Sequence, residues 1–475
     1  MPRMIFIEPK APNLHIFTQF QLPRLGNYIL ATLLRNKGWE ADVWNEALGA
    51  IDYDQLHGTD LVGISTITST APRAYAMADR IRAMGIAVIM GGPHVTFLAE
   101  EALAHADFVI RGEGELALSA FVDQWQGERQ WAQVPGLSYE KRGVIIHNTQ
   151  AAAVEDLDTL PHPNPALLLR DVRSVAGQKV IPVQTSRGCP FDCAFCSVTG
   201  MFGRRYRFRS TEHILEELRH YNHPKHTLFF YDDNFTAHPA RAKALLRAMI
   251  AEGFKFQWST QVRVDVARDE ELLTLMKEAG CHTVYIGFES VNPESLKAMK
   301  KGQDLDEIKT CIRLLKRRGI HIHGMFVYGF DEDNWATVKE TVRFARKTRL
   351  TSAQFLILTP LPGSETYERL EKEGRILFKD WNLYDAHHAV FQPRGFSMAT
   401  LQKAQIFSHA RFYSKKESLL RLFRLHVVHI VIARYARQIN RLWKRKNQTF
   451  LKALDLLKTP GPASITLDYR EQVEL

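Results

Sequence analysis

The chain has 475 residues, 45% of them hydrophobic and 24% charged, which excludes a disordered polymer and supplies two or three domains with cores of their own. Five cysteines, three of them within eight residues, are too few and too clustered for a disulfide framework, so reduced thiols in metal or catalytic use are expected. The net charge of +10 is local: residues 411–448 carry eleven Lys or Arg against one acid, Glu417, which leaves the remainder neutral and excludes a distributed basic face for nucleic acid.

The opening stretch "MPRMIFIEPK" has a short apolar run ending in Glu8 and reads as a first strand rather than a signal peptide, so a cytoplasmic protein is expected. No apolar run approaches the roughly 20 residues that cross a bilayer. From residue 3 to about 125, "RMIFIE", a helix over 23–37, "EADVWN", "DLVGIST", a helix over 71–84, "AVIMGG" and "DFVIRG" alternate. That alternation predicts a Rossmann-like doubly wound parallel sheet of about five strands. Ligands of such sheets sit beyond the carboxyl ends of the strands. Those ends carry Ser65-Thr66, Gly91-Gly92-Pro93-His94 and Gly112-Glu113-Gly114-Glu115. Glycine there either lets backbone approach a bulky ligand or simply makes a turn.

Residues 134–148 read as a hairpin around Lys141-Arg142-Gly143, and "EDLDTLPHPNP" as an acidic, proline-rich connector, so 134–177 is expected to be hairpin and linker between domains at 1–133 and 178–370. A second alternation follows through "VIPVQTS", "TLFFYDD", "FQWSTQV", "TVYIGFE", "HIHGMFVYG" and "AQFLILTP". Six strands make a partial (β/α)6 barrel, two short of closure.

Directly after the first of these strands comes "RGCPFDCAFC", with Cys189, Cys193 and Cys196. Structural zinc wants four ligands, usually in two pairs, and Cys281 and Cys311 offer no second pair; they read as buried thiols. An iron–sulfur cluster accepts a tight run of thiolates, and a four-iron cluster held by three cysteines leaves one iron open. This spacing, with Phe195 just before the third cysteine, resembles the signature of the radical S-adenosylmethionine superfamily. The resemblance implies a [4Fe-4S] cluster whose open iron chelates S-adenosylmethionine and an electron that cleaves it to a 5′-deoxyadenosyl radical. It further implies contacts to S-adenosylmethionine from Phe195, Asp232 and Asp233 in "YDDNF", Arg263 in "QVRVD", and Glu289 and Ser290 in "IGFES". Asp233 or Asn234 also suits a helix N-cap.

The pattern "PRLGNYILATLLRNKGWEADVWNE … LVGIST … GGPHVTF … ADFVIRGEGE" resembles the cobalamin-binding domain that precedes the barrel in one large subgroup. That implies cobalamin near Ser65, Thr66, Gly91, Gly92, His94, Gly112 and Glu113. In "NLHIFT", His15 sits where related domains place a cobalt ligand, but the usual Asp and Gly are replaced, so a loop histidine near the cofactor is the expectation. The pairing of cofactors implies methylation of an unactivated carbon, or else oxidative, cyclising or C–C coupling radical chemistry on a lipid or tetrapyrrole without net methyl transfer. The substrate is then a small molecule or lipid, and the electron comes from an external donor of flavodoxin or ferredoxin type.

Residues 371–475 are expected to be helical. Val428, Val431, Ile432, Tyr435, Ile439, Leu442 and Trp443 recur at helical spacing beside a stripe of Arg434, Arg437, Arg441 and Lys444. Such a helix either packs on the barrel with a solvated basic face or makes a peripheral membrane contact through 411–448.

Overall fold

A computed structural model describes residues 1–13, 22–169, 178–422 and 427–457. The amino-terminal strands are β1 (Arg3–Glu8), β2 (Glu40–Asn45), β3 (Leu61–Ser65), β4 (Ala87–Gly91) and β5 (Phe108–Ile110), all parallel in the order β2-β1-β3-β4-β5. Alternate residues of these short apolar runs face opposite sides, and both sides are covered. Ile5, Ile7, Val62, Ile64, Val88 and Met90 pack on helix Ala71–Ala83, whereas Met4, Phe6, Val43 and Ile89 meet helices Leu25–Asn36 and Gly114–Gln126. The direction of winding reverses between β1 and β3, which opens a crevice at their carboxyl ends.

The expected hairpin forms as β6 (Leu137–Lys141) and β7 (Val144–His147), but it is not linker. It extends the first sheet antiparallel beside β5, making seven strands. Leu137 and Tyr139 supply the apolar face that buries against the domain's own core.

The second sheet begins with β8 (Lys179–Val183). A two-residue antiparallel ladder, β9 (Ser186–Arg187) with β10 (Arg207–Phe208), brackets the cysteine loop. Then come β11 (His226–Phe230), β12 (Gln257–Val262), β13 (Cys281–Glu289), β14 (His321–Tyr328) and β15 (Ser352–Ile357). The order β8-β11-β12-β13-β14-β15 is parallel throughout and open between β8 and β15, as six strands require. Pro182 falls on edge strand β8, where its missing N–H costs no ladder bond. The other edge is covered by helix Met398–Phe412 and the residue that follows it. The Tyr413 hydroxyl donates to the Ala353 carbonyl (2.7 Å) and accepts from its amide (3.0 Å), and His409 Nε2 sits 3.1 Å from the Phe355 carbonyl. Helices Lys415–Leu422, Val427–Lys446 and Gln448–Leu456 complete the described chain, and no described helix is long and apolar enough to cross a membrane. Cys281 and Cys311 are buried in the barrel core, and so is His323, bonded to the Ser352 hydroxyl at 2.8 Å.

Candidate functional site

The cysteine loop springs from β8 and is fixed at its root by Asp232, at the end of β11. That carboxylate accepts from the Thr185 and Ser186 amides (2.8 and 2.6 Å) and the Thr185 hydroxyl (2.7 Å), and Arg241 holds the Thr185 carbonyl at 2.8 Å. Asp232 is wholly buried, so its carboxylate anchors the loop instead of facing a ligand. Asp233 faces the cavity described below, and burial together with the charge of Asp232 pushes its carboxyl up to about 6 against one hydrogen bond from the Gly188 amide. Gly188 has φ +81°, and a Cβ there would overlap the Arg205 carbonyl, so only glycine lets the two arms of the loop approach.

Cys189, Cys193 and Cys196 are all half-buried on this loop. The Phe191 and Val198 amides point at Cys189 and Cys196, the Cys196 amide donates to the Cys193 carbonyl (3.0 Å), and the Arg263 guanidinium lies 3.8 Å from Cys193 Sγ and 3.7 Å over the Phe191 ring. Burial pushes the Cys196 thiol up to about 11 and raises Cys189 as well. Thiolate at neutral pH therefore requires a metal to displace the protons. The Cys189 and Cys196 thiols feel their neighbours' charge, yet among the described residues no three His, Cys, Asp or Glu side chains converge on one ion. The donor set fits a cubane, which takes one cysteine per iron.

Around the loop, the Phe195 ring meets Phe330 edge-on at 6.2 Å, and Thr366, which follows β15 and the turn at residues 360–364, grips the Ala194 carbonyl through its amide (2.9 Å) and hydroxyl (3.0 Å). Glu289 ends β13 at a register shift with φ +60°, a conformation few side chains tolerate, and forms a buried ion pair with Lys301. Ser290 is buried and accepts from the Asn292 amide at 3.0 Å, so its hydroxyl caps the following turn. Of the six residues expected at S-adenosylmethionine, Phe195, Asp233 and Arg263 lie at the loop or the cavity, and Glu289 is linked to the loop through Lys301, whose ammonium lies 6.0 Å from the Phe195 ring, whereas Asp232 and Ser290 are committed to structure.

A cavity of about 350 Å³ lies between the carboxyl ends of the first sheet and the mouth of the barrel. One wall is Ser65, Gly91, Gly92, Gly112 and Glu113; the other is Gln184, Ser197, Val198, Tyr231 and Asp233. The glycines present bare backbone to it, a cradle that suits the flat and bulky body of a cobalamin. Gly92 has φ +103°, and a Cβ would overlap the Thr66 carbonyl. Gly92→Ala is expected to cost at least ~2 kcal/mol, seen as a lower urea midpoint, because it adds left-handed strain to a backbone clash.

Two residues expected at cobalamin are turned away. Thr66 is fully buried, its hydroxyl on the Gly91 carbonyl at 3.1 Å, which ties β3 to β4. His94 is 1% exposed, with Nε2 3.1 Å from the Tyr75 hydroxyl and 3.4 Å from Glu101, and its ring lies edge-on to Trp381 at 5.2 Å. It cements the first domain to the segment after the barrel. His15 lies outside the described residues; nearby Asn13 donates to the Asn382 carbonyl at 2.8 Å.

Glu113 lines the cavity, but its carboxylate is held by Arg207 and by Arg187 (3.1 Å), and Arg187 also reaches Glu115 at 2.6 Å. All four side chains are buried. Burial alone would raise the Glu113 carboxyl, yet the bond from Arg207 and the two positive charges hold it below the usual range. Arg187 immediately precedes the loop and Arg207 closes it, so this clamp ties β5 to both feet of the cysteine loop. Nothing in the sequence joins these four residues; the arginine ahead of Gly188-Cys189 is the one signal it offers.

Comparison with known proteins agrees with this geometry. The Radical SAM superfamily matches residues 183–345 and the B12 binding domain residues 18–122. An uncharacterized methyltransferase of Pyrococcus horikoshii is 34% identical over 76% of this chain and 80% of its own. The bacteriochlorophyllide d C-12(1)-methyltransferase of Chlorobaculum tepidum is 28% identical over 82% and 83%. The fold is shared with the cobalamin-dependent S-adenosylmethionine radical enzyme OxsB, with aqua-cobalamin and S-adenosylmethionine bound, at a TM-score of 0.67 and 15% identity over 96% of this chain and 80% of that one. Two domains, their order in the chain and the three-cysteine loop after the first strand of the second carry one conclusion: the chain belongs to the cobalamin-binding radical S-adenosylmethionine enzymes, which work with a [4Fe-4S] cluster, S-adenosylmethionine and cobalamin.

Proposed function

We propose that this enzyme methylates an unactivated carbon of a small-molecule substrate admitted between the two domains. The observation that carries the reading is the single cavity walled on one side by the glycine-rich ends of β3, β4 and β5 and on the other by the cysteine loop and β11. When bound, the cofactors supply radical removal of a hydrogen atom and a transferable methyl group. The chain's own part is positional. Cys189, Cys193 and Cys196 would hold the cluster, with Arg263 offsetting negative charge on the sulfurs. Asp233, its carboxyl pushed up to about 6 by burial and the charge of Asp232, would accept from the ammonium of S-adenosylmethionine. Glu289, fixed by Lys301 and by its strained backbone, would meet the adenosyl moiety. Ser65, Gly91, Gly92 and Gly112 would border cobalamin. Substrate methylated with methyl-deuterated S-adenosylmethionine should carry the deuterated methyl group, read by mass spectrometry; product that is oxidised or cyclised and free of label overturns the methylation.

The cluster needs an external one-electron donor, of flavodoxin or ferredoxin type, and the half-buried cysteines leave it a short approach. A lipid or tetrapyrrole substrate would accord with peripheral membrane contact through 411–448. Helix Val427–Lys446 packs Ala433, Ala436, Ile439 and Trp443 inward and keeps Val428, Val431 and Leu442 exposed alongside Leu419 and Leu422. The protein is expected to pellet with anionic vesicles and Val431→Asp to release it; wild-type protein left in the supernatant removes the membrane contact.

A further inference from the structure

The carboxyl-terminal helices enclose a second cavity, of about 430 Å³, outside the barrel and separate from the cysteine loop. It lies between helices Met398–Phe412 and Val427–Lys446. Its floor is largely apolar, with Ile439 and Trp443 buried there beside the buried polar side chains of His387 and Gln405. Four cations line it, Lys415, Arg437, Arg441 and Lys444, and among the described residues no carboxylate does. Among the described residues none of the four has an acidic partner within 4.0 Å, although most arginines elsewhere in the molecule do. Gathering like charges at one hollow is unfavourable unless something of opposite sign enters it.

One of the four is fixed in advance. Arg437 donates through Nη1 to the Tyr413 carbonyl (2.9 Å) and the Ser418 hydroxyl (2.8 Å), which leaves the rest of its fork to a ligand without the cost of ordering the side chain. Arg441 is tied through Nε to the Arg437 carbonyl at 3.2 Å, and its terminal nitrogens remain. The volume suits a small ligand rather than a lone ion, and the apolar floor below a cationic rim calls for an apolar body with a charged head. A carboxylate brings one negative charge; a phosphate monoester brings nearly two and three acceptor oxygens, which matches two guanidinium forks and two ammonium groups far better.

We propose that this cavity binds a phosphate monoester borne on an apolar body, whether a soluble organic phosphate or the head of an anionic lipid. The site is independent of the cofactors, so its test does not depend on the methylation reading. Calorimetric titration of the full chain with phenyl phosphate should show binding, and benzyl alcohol none. Arg441→Ala with Lys444→Ala, both exposed positions, should weaken phenyl phosphate by about tenfold or more, the loss expected for charge-assisted hydrogen bonds. Arg434→Ala, exposed on the same helix but outside the cavity, should change nothing. Circular dichroism establishes that the double variant keeps its helices. Flotation with phosphatidylcholine vesicles, with and without phosphatidic acid, separates the sources. Capture by phosphatidic acid that the double variant loses identifies a lipid head, and phenyl phosphate binding without capture identifies a soluble ligand. No binding in either arm, or equal weakening by Arg434→Ala, overturns the proposal.

Discussion

Cys193→Ala is expected to abolish turnover while leaving the fold standing. The Cys193 side chain is half-buried on a loop, and the described contact of its sulfur is the Arg263 guanidinium at 3.8 Å, so its loss should cost no more than about 1 kcal/mol of stability. Its chemistry is a different matter. A cubane held by three protein thiolates has no spare ligand, and removing one leaves two, too few to retain four irons. Since the reaction depends on that cluster, the loss should be on the order of the whole rate acceleration, ~10⁶-fold or more. Iron and sulfide content after anaerobic reconstitution, 5′-deoxyadenosine release and the urea midpoint read the three effects separately. Cys311→Ala is the matched control: it lies in the barrel core, so it should cost roughly 1–2 kcal/mol and retain iron and turnover. A Cys193→Ala protein that still holds the cluster and releases 5′-deoxyadenosine would remove the basis of the functional reading.

The two sheets were legible because their strands are buried on both faces and so read as short apolar runs between amphipathic helices. Each of the eleven parallel strands expected from such runs is present, and the cysteine spacing located the loop that follows the first strand of the barrel. Pairings distant in the chain were not legible. Nothing in "VPGLSYEKRGVIIHN" says that its hairpin joins the edge of the first sheet, because an amphipathic ribbon would suit a linker equally well. The cover over β15 depends on Tyr413 and His409 meeting a strand over fifty residues away, and neither residue stands out in its own stretch of sequence. At strand ends periodicity lapses altogether. Asp232 and Asp233 are adjacent, yet one is buried under the loop and the other faces the cavity; Thr66 and His94 follow strands as binding residues do, yet turn into the protein. A run of polar residues after a strand thus marks the neighbourhood of a site, while backbone direction at each residue decides membership.

The clamp of Glu113 makes the second large prediction. Glu113→Gln keeps the shape of the side chain and one acceptor oxygen but removes its charge, leaving the buried Arg207 guanidinium without its carboxylate counter-ion and with neutral acceptors, the amide oxygen and the Val154 carbonyl. Arg187 retains Glu115 and Gln184. An uncompensated buried charge typically costs 3–5 kcal/mol, so a loss of about 3–5 kcal/mol is expected in the unfolding free energy. The loss should fall on the contact between domains, because β5 and the two feet of the loop meet through this carboxylate. Replacing both partners with apolar residues, Glu113→Met with Arg207→Met, should recover much of it, since the penalty lies in the orphaned charge more than in the missing bond. Acid should mimic the single variant. The folded-state pKa of Glu113 is depressed, so the clamp contributes fully above the unfolded carboxyl value near pH ~4.3 and is lost as pH falls through the lower folded value. The variant's stability should therefore change less than the wild type's between pH 5 and the acid limit, because one carboxyl that drives the wild-type slope is gone. Equal urea midpoints for Glu113→Gln and wild type at neutral pH would mean that the domains are held by their apolar contacts alone, and that the arginines flanking the loop serve the cofactors rather than the fold.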